Sequence, residues 1–306
     1  MKTVLARLLG TSLATLIDVA TRWSSRRAGL ALVYHRVGDP QGAPARQLVP
    51  QLGTALFESQ LGYLRRRYRL VRASELPKAV RERRRGQRFP VAVTFDDDLD
   101  SHARVAMPIL QRHRVRATFF LCGASLEAPF TFWWERLERA FDPSKGGGSI
   151  HELAREIEAL PQDERAAAAE QLKTRAGEDP PEAGIRQEQV SALARAGFEI
   201  GFHTLRHDPL PELADDALRR ALTDGRQRLA DIVGEEIAGI SYPHGRADAR
   251  VAAAARAAGY TVGFTNAQEP ARDGTDPLLL GRLEPSFGSA GHLALRVARV
   301  LRAGQR

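Results

Sequence analysis

The 306-residue sequence predicts an α/β fold in which seven strands form a β/α barrel. Three observations support it: short apolar runs alternate with helical patterns, this order repeats along the chain, and polar residues follow several of the runs. The predicted strands cover residues 30–34, 91–95, 117–121, 198–202, 237–242, 260–264 and 278–283. Strands joined by helices are typical of a parallel sheet, and seven such units suggest closure into a barrel.

Helical segments lie between most of these strands. A 3.6-residue apolar period or a helix-forming composition predicts helices over residues 57–68, 105–112, 187–196, 212–233, 247–258 and 292–302. Because each predicted crossover is long enough to hold a helix, the strands can run parallel.

Residues 127–186 interrupt this alternation with an aromatic cluster, a triple glycine and a charged helical stretch. They predict a helical insertion between strands three and four. Since the insertion leaves the barrel at the carboxyl ends of the strands, two interpretations stay open: it covers the substrate as a lid or platform, or it caps the barrel.

The first 28 residues are predicted to form an amphipathic helix, followed by the barrel domain over residues 29–306. One face of this helix is apolar, with Leu5, Leu9, Leu13, Leu16 and Ala20 recurring at helical spacing. The opposite face is polar and includes Arg7 and Asp18. A weak export signal is the alternative, but Asp18 lies where a small residue should precede cleavage. We therefore expect a cytoplasmic protein or one peripheral at the inner membrane face, with export as the alternative.

The composition is that of a globular protein, with 43% hydrophobic and 27% charged residues, and no apolar stretch reaches the roughly 20 residues of a membrane span. The net charge of +8 comes from arginines scattered along predicted helices. Neither zinc-finger spacing nor an aromatic RNA-binding signature accompanies this charge, so no nucleic-acid partner is expected. Solvated helix faces or peripheral contact with an anionic membrane explain it better. The single Cys122 forms no intramolecular disulfide.

Residue types that bind metals follow two of the predicted strands. Asp96 and Asp97 follow the second strand, and His203 follows the fourth, with His207 four residues later. Active-site residues of β/α barrels gather at the carboxyl ends of the strands, so these side chains should converge on one rim. His35 and His244 follow the first and fifth strands and should reach the same rim.

Each motif alone has an ordinary structural explanation, as a capped loop or a helix surface. Their joint occurrence at predicted strand ends favours a metal site, in which the two imidazoles and one carboxylate leave a position open for water. Zinc is the expected ion from the ligand chemistry, and cobalt, nickel or manganese would also suit these ligands. Asp96 would then be free to act as a base.

The same residues resemble the polysaccharide deacetylase family, the NodB homology fold of carbohydrate esterase family 4. Residues 94–97, Thr-Phe-Asp-Asp, and His203-x-x-x-His207 resemble its first two motifs. Residues 32–37 resemble the opening of many bacterial members, and residues 240–245 resemble the third motif. The resemblance covers residues 30 to 285 and implies an irregular seven-stranded barrel.

The resemblance also implies roles for individual residues. Asp97, His203 and His207 would bind the metal, and Asp96 would be the catalytic base. The third motif would contribute the backbone N–H of His244 to oxyanion binding. It would also contact the substrate through Tyr242, Pro243 and Gly245.

Two departures from the family pattern affect the expected site. The Arg that begins the third motif and holds the catalytic Asp is replaced by Ser241. We expect Arg282, at the end of the last strand, to take its place, with Arg246 as second choice. The Leu-x-x-His of the fifth motif is missing, which leaves the general acid unassigned, with His35 and His244 as candidates.

The resemblance implies a metal-dependent hydrolase that removes acetyl groups from an N-acetylated sugar in a glycan, a glycolipid or their precursor. O-deacetylation of a polysaccharide is the nearest alternative. A glycan-binding protein without activity is a second alternative, suggested by Ser241 and the missing fifth-motif histidine.

Overall fold

The computed structural model describes residues 22–39, 47–142 and 148–303. Most of the predicted N-terminal amphipathic helix, residues 1–21, lies outside these ranges. None of the helices in the described ranges has the length and apolar character needed to span a bilayer.

Seven parallel strands form a nearly closed barrel, as the sequence predicts. These strands are β1 Ala28–Tyr34, β3 Pro90–Asp96, β4 Thr118–Leu121, β5 Glu199–Phe202, β6 Gly239–Ser241, β7 Val262–Phe264 and β9 Arg282–Leu283. Their order around the barrel is β7-β6-β5-β4-β3-β1-β9, and a bridge between Phe264 and Leu280 brings the last segment back beside β7. Two further short strands, β2 Arg69–Val71 and β8 Ala271–Arg272, pair with β3 and β1 and were not predicted.

Helices cover the outside of the barrel. Those between strands are α1 Thr54–Arg67, α2 Leu76–Glu82, α3 Met107–Arg112, α7 Gln187–Arg195, α8 Asp215–Thr223, α9 Arg226–Val233 and α10 Ala249–Ala257, and α11 Ala290–Arg302 follows β9. A π-helical turn, His102–Ala106, precedes α3. Every residue of β1 and β3 is buried, which explains why these strands have apolar runs without polar alternation.

The single helix predicted over residues 212–233 is wrong. The structure has two helices there, α8 and α9, separated at Gly225. Gly225 adopts a left-handed backbone with φ of 84°, a conformation that glycine accepts without strain and that ends a helix.

Three helices form the described part of the insertion between β4 and β5: α4 Trp133–Ala140, α5 Ile150–Glu158 and α6 Gln162–Ala176. Leu137, Ile150, Ala154 and Leu172 form a small core of their own at its centre. Arg36, just after β1, pairs with Glu135 at 3.1 Å and Glu138 at 2.7 Å, so α4 is held against the rim of the barrel.

The root of the insertion is fixed by Asp98, which directly follows Asp97. Its buried carboxylate accepts hydrogen bonds from the backbone N–H groups of residues 122–125, at distances between 2.7 and 3.1 Å. The Ser125 hydroxyl donates to the carbonyl of Ile185 at 2.8 Å, and Arg186 donates to the carbonyl of Ser125 at 2.7 Å. The beginning and the end of the insertion are therefore joined beside the loop that carries Asp97.

Candidate metal centre

Three side chains from two strand ends converge at the carboxyl end of the barrel. Asp97 follows β3, and His203 and His207 follow β5. The Asp97 Oδ1 atom lies 3.5 Å from Nε2 of His203 and 3.7 Å from Nε2 of His207. One ligand atom from each residue fits within 4.8 Å, a spacing from which all three can bind one ion.

The hydrogen bonds around this cluster suit a cation. Nδ1 of His203 donates to the carbonyl of Ser241 at 2.8 Å, which leaves Nε2 with a free lone pair directed at Asp97. The buried Oδ1 of Asp97 has no hydrogen-bond partner in the described chain. Burial alone would raise the pKa of Asp97, but contact with His203 and the nearby His35 and His207 lowers it, so the group stays a carboxylate. An unpartnered buried anion beside two imidazoles fits a metal ion.

Backbone strain is concentrated at this site. Among the described non-glycine residues with positive φ, Asp97 has 76°, Thr204 58°, His207 56° and His244 57°. Such residues cost roughly 1–3 kcal/mol each and persist where the surroundings fix them. The strain is consistent with loops shaped to place ligand side chains.

Asp96 is held by a buried arginine from β9, which lies two strands away from β3 in the barrel. Arg282 Nη1 donates to Oδ1 of Asp96 at 2.8 Å and Nη2 donates to Oδ2 at 2.7 Å, while the Ser241 hydroxyl adds a bond of 2.9 Å to Oδ2. Arg282 also contacts Thr94 and Asn266. Burial would raise the pKa of Asp96, but the charges of Arg282 and His203 outweigh it and lower the pKa to about 2. The carboxylate is therefore ionised at neutral pH.

Arg246, the second choice for holding Asp96, lies elsewhere: it is exposed and pairs with Glu212 at 2.9 Å.

We expect Arg282→Met to destabilise the protein by about 3–5 kcal/mol, because Asp96 would remain buried without its cation. The rate of hydrolysis should also fall in Arg282→Met. Arg246→Met should lower the free energy of unfolding by less than about 1 kcal/mol and leave the rate unchanged. Urea unfolding and initial rates measure both effects. Equal behaviour of the two variants would contradict the assignment.

His102 was not identified from the sequence, yet it supports the backbone of both Asp96 and Asp97. It is fully buried between Phe95 and Phe119, and its Nε2–H is shared between the carbonyl oxygens of Asp96 at 2.9 Å and Asp97 at 3.1 Å. Burial lowers its pKa to about 4, so the ring is a neutral donor at pH 7. His102 thus fixes the backbone at the turn where Asp97 becomes left-handed.

Replacing His102 by Phe should keep the aromatic packing and remove this donor. We expect a loss of about 1–3 kcal/mol in stability, because two buried carbonyls lose their partner, and a weaker metal affinity. His102→Gln retains an N–H donor and should therefore lose less stability and less metal affinity than His102→Phe. Thermal unfolding and zinc titration of the two variants test this, and wild-type zinc affinity in His102→Phe would refute the positioning role.

A cavity of about 410 Å³ opens above the cluster, and rim and insertion residues line it together. Trp133 and Trp134 of α4 contribute an aromatic wall, with the Trp134 ring 4.8 Å from that of His207. One face of α5 contributes a second wall: His151, Ala154, Arg155 and Glu158. These α5 residues were not predicted. Their spacing of three, one and three places them on one side of a helix, but only the tertiary structure shows that this side faces the cavity.

The other predicted site residues divide into two groups. His35, His244 and Gly245 line the cavity, and the His244 ring lies 4.6 Å from that of His207. Tyr242 does not: its side chain is buried, and its hydroxyl donates to the carbonyl of Leu278 at 2.9 Å. The placement contradicts a substrate contact by the Tyr242 side chain, because alternation along the strand points it into the core. Pro243 is also buried and begins the turn that presents His244.

The family model described as polysaccharide deacetylase matches residues 83–263, more than half of the chain. The chain belongs to the polysaccharide deacetylase family. The resemblance seen in the motifs is thereby confirmed, and the protein is a hydrolytic enzyme of this family. The matched residues include Asp96, Asp97, His203 and His207 but end before Arg282.

Similar proteins agree with this result. YxkH of Bacillus subtilis (strain 168), named as a polysaccharide deacetylase, is 21% identical over 263 residues, which cover 85% of this chain and 72% of YxkH. The solved structure of Streptococcus pyogenes deacetylase PplD in complex with acetate matches with a TM-score of 0.64 at 17% identity, over 89% of this chain and 98% of that one. The solved structure of IcaB from Ammonifex degensii matches with a TM-score of 0.58 at 20% identity, over 88% of this chain and 97% of that one. These structures share the fold.

Proposed function

We propose that this protein is a metal-dependent deacetylase that hydrolyses the N-acetyl group of a sugar in a glycan, a glycolipid or their precursor. The observation that carries the proposal is the unpartnered, buried Oδ1 of Asp97 between the Nε2 atoms of His203 and His207. Asp96 lies beside it as a separate, ionised carboxylate held by Arg282.

Amide hydrolysis needs a base, a stabilised oxyanion and an acid for the departing nitrogen. A zinc ion bound by Asp97, His203 and His207 would polarise the acetyl carbonyl and acidify a water molecule. Asp96 is the base that takes the proton of the attacking water, and Arg282 keeps it ionised and fixes its direction. The backbone N–H of His244 contributes to oxyanion binding, as the family resemblance implies.

The acid has three candidates among the residues that line the cavity: His35, His244 and His151. The first two were expected from their strand ends, and His151 is added by the insertion. Because the amine must be protonated before it leaves, replacing the true acid should lower kcat more than it raises KM.

The cavity suits a sugar. Trp133 and Trp134 supply apolar surface for the face of a pyranose ring, while Asn266, His151 and Glu284 supply hydrogen-bonding groups for its hydroxyls. This arrangement supports the insertion as a substrate platform rather than a cap remote from the site.

The deciding experiment measures metal content and acetate release together. Purified protein should contain about one equivalent of zinc and release acetate from N-acetylglucosamine oligomers. Chelation should abolish release, and added zinc should restore it. Acetate release from an O-acetylated polysaccharide alone would favour the esterase alternative. Sugar binding without acetate release from either substrate would favour the non-catalytic one.

A further inference from the structure

The amino-terminal end of the barrel carries a dense cluster of arginines. Three segments meet there: residues 22–27 before β1, the last turn of α1, and the loop of residues 83–89 before β3. We call the exposed side chains of these segments the arginine face: Arg22, Arg26, Arg65, Arg66, Arg84, Arg85 and Arg88, together with Trp23.

Direct contacts hold the three segments together. The N–H of Gly86 donates to the carbonyl of Arg22 at 3.0 Å, and Arg88 donates to the carbonyl of Arg65 at 3.3 Å. Arg83 is buried beneath them with its guanidinium 3.7 Å from the centre of the Phe89 ring, and donates to the carbonyls of Arg22 at 2.7 Å and Ser24 at 3.2 Å. The arginine face is therefore a fixed surface of the barrel.

The charge of this surface is not neutralised by neighbouring residues. In the described ranges, no carboxylate lies within ion-pair distance of any arginine of the arginine face, although exposed arginines elsewhere, such as Arg219 and Arg256, pair with Asp216 and Asp276. Unpaired charges so close together repel one another, and an anionic partner would relieve that repulsion.

An exposed aromatic side chain lies among these arginines. Trp23 is 60% exposed, more than any other large hydrophobic residue of the described chain, and its ring lies against Gly86. Tryptophan is the side chain most typical of the interface between water and lipid, where arginines bind phosphate groups. The chain reaches this surface directly after residues 5–20, whose pattern predicts an amphipathic helix.

We propose that the arginine face docks on a bilayer of anionic phospholipids. A nucleic acid fits less well, because binding of single strands needs several aromatic side chains along a basic groove and this surface presents one indole. The proposal is independent of the hydrolytic function proposed above.

Docking in this way would orient the enzyme. Arg27 precedes β1 and His35 follows it, so the arginine face and the cavity lie at opposite ends of a seven-residue strand, about 20 Å apart along the barrel. The cavity would open away from the lipid, toward sugars that are soluble or that project from the membrane.

Vesicle flotation of the full chain tests the proposal. Wild-type protein should float with phosphatidylglycerol–phosphatidylcholine vesicles, less so as salt rises, and not with phosphatidylcholine alone. Neutralising Arg65, Arg66, Arg84 and Arg85 to Gln should lower the partition coefficient at least about tenfold, because each arginine near an anionic surface contributes several-fold. Trp23→Ala should lower it further.

A matched control replaces Arg104, Arg175, Arg219 and Arg220, which are exposed elsewhere, and so removes the same four charges from the net +8. This control should bind vesicles nearly as wild type does. Equal losses in both quadruple variants, no preference of wild type for anionic vesicles, or tighter retention on an oligonucleotide at the same salt would overturn the proposal. Both variants should retain wild-type acetate release if the wild type has it, since the cavity is untouched.

Discussion

Replacing His203 or His207 by alanine is expected to abolish metal binding and hydrolysis together. Each replacement leaves two ligands, and a site of one carboxylate and one imidazole holds zinc weakly. The variants should still fold, because the loop that carries Asp97 is also held by the hydrogen bond from His102 to the Asp97 carbonyl and by the bonds to the Asp98 carboxylate. Elemental analysis of the dialysed variants and acetate release measure the two losses.

His113→Ala is the matched control. His113 ends α3 on the outer side of the barrel and lines no part of the cavity, so this variant should keep both metal and activity. Stoichiometric zinc in either His203→Ala or His207→Ala would show that the ion binds elsewhere.

Asp96→Asn should separate metal binding from chemistry. The amide keeps the size of the carboxylate and an oxygen for Arg282, but it cannot take a proton from water. We expect zinc content to be retained and kcat to fall at least roughly a hundredfold, the scale of a general base.

Two further measurements make the Asp96 prediction specific. Asp100→Asn, a nearby carboxylate that pairs with Arg104, should retain the wild-type rate. Circular dichroism should show that Asp96→Asn is folded, so that a lower rate reflects lost chemistry. Turnover near that of the wild type in folded Asp96→Asn would exclude it as the base.

The barrel could be predicted from the sequence because its determinants are local. Most barrel strands lie in short runs of mainly apolar, buried residues, and the helices between strands show their own period, so all seven strands lie within or overlap the predicted segments. The break at Gly225 could not be read from periodicity, since apolar spacing continues through it. The strands β2 and β8 have three and two residues, too few for a pattern to emerge.

The candidate site likewise contains residues that the sequence predicts and residues that only the tertiary structure reveals. Asp97, His203 and His207 converge because strand ends meet at one rim, and Arg282 reaches Asp96 for the same reason. The contribution of His102 depends on hydrogen bonds across a turn to two backbone carbonyls. No pattern of side chains in the sequence predicts such bonds. The α5 residues enter the cavity only through the packing of the insertion, and Tyr242 leaves it because its strand position turns it into the core.

The four hydrogen bonds to Asp98 determine where the insertion can bend. Its first and last residues are joined to each other and to the turn beside Asp97, so a rotation of the whole insertion about its base would displace the loop that carries Asp97. A hinge at that point is therefore disfavoured. If the cavity widens to admit a longer chain of sugars, the movement must occur further out, where α5 lies on its small core over α4. The base of the insertion is therefore fixed, and any change in the width of the cavity depends on the position of α5.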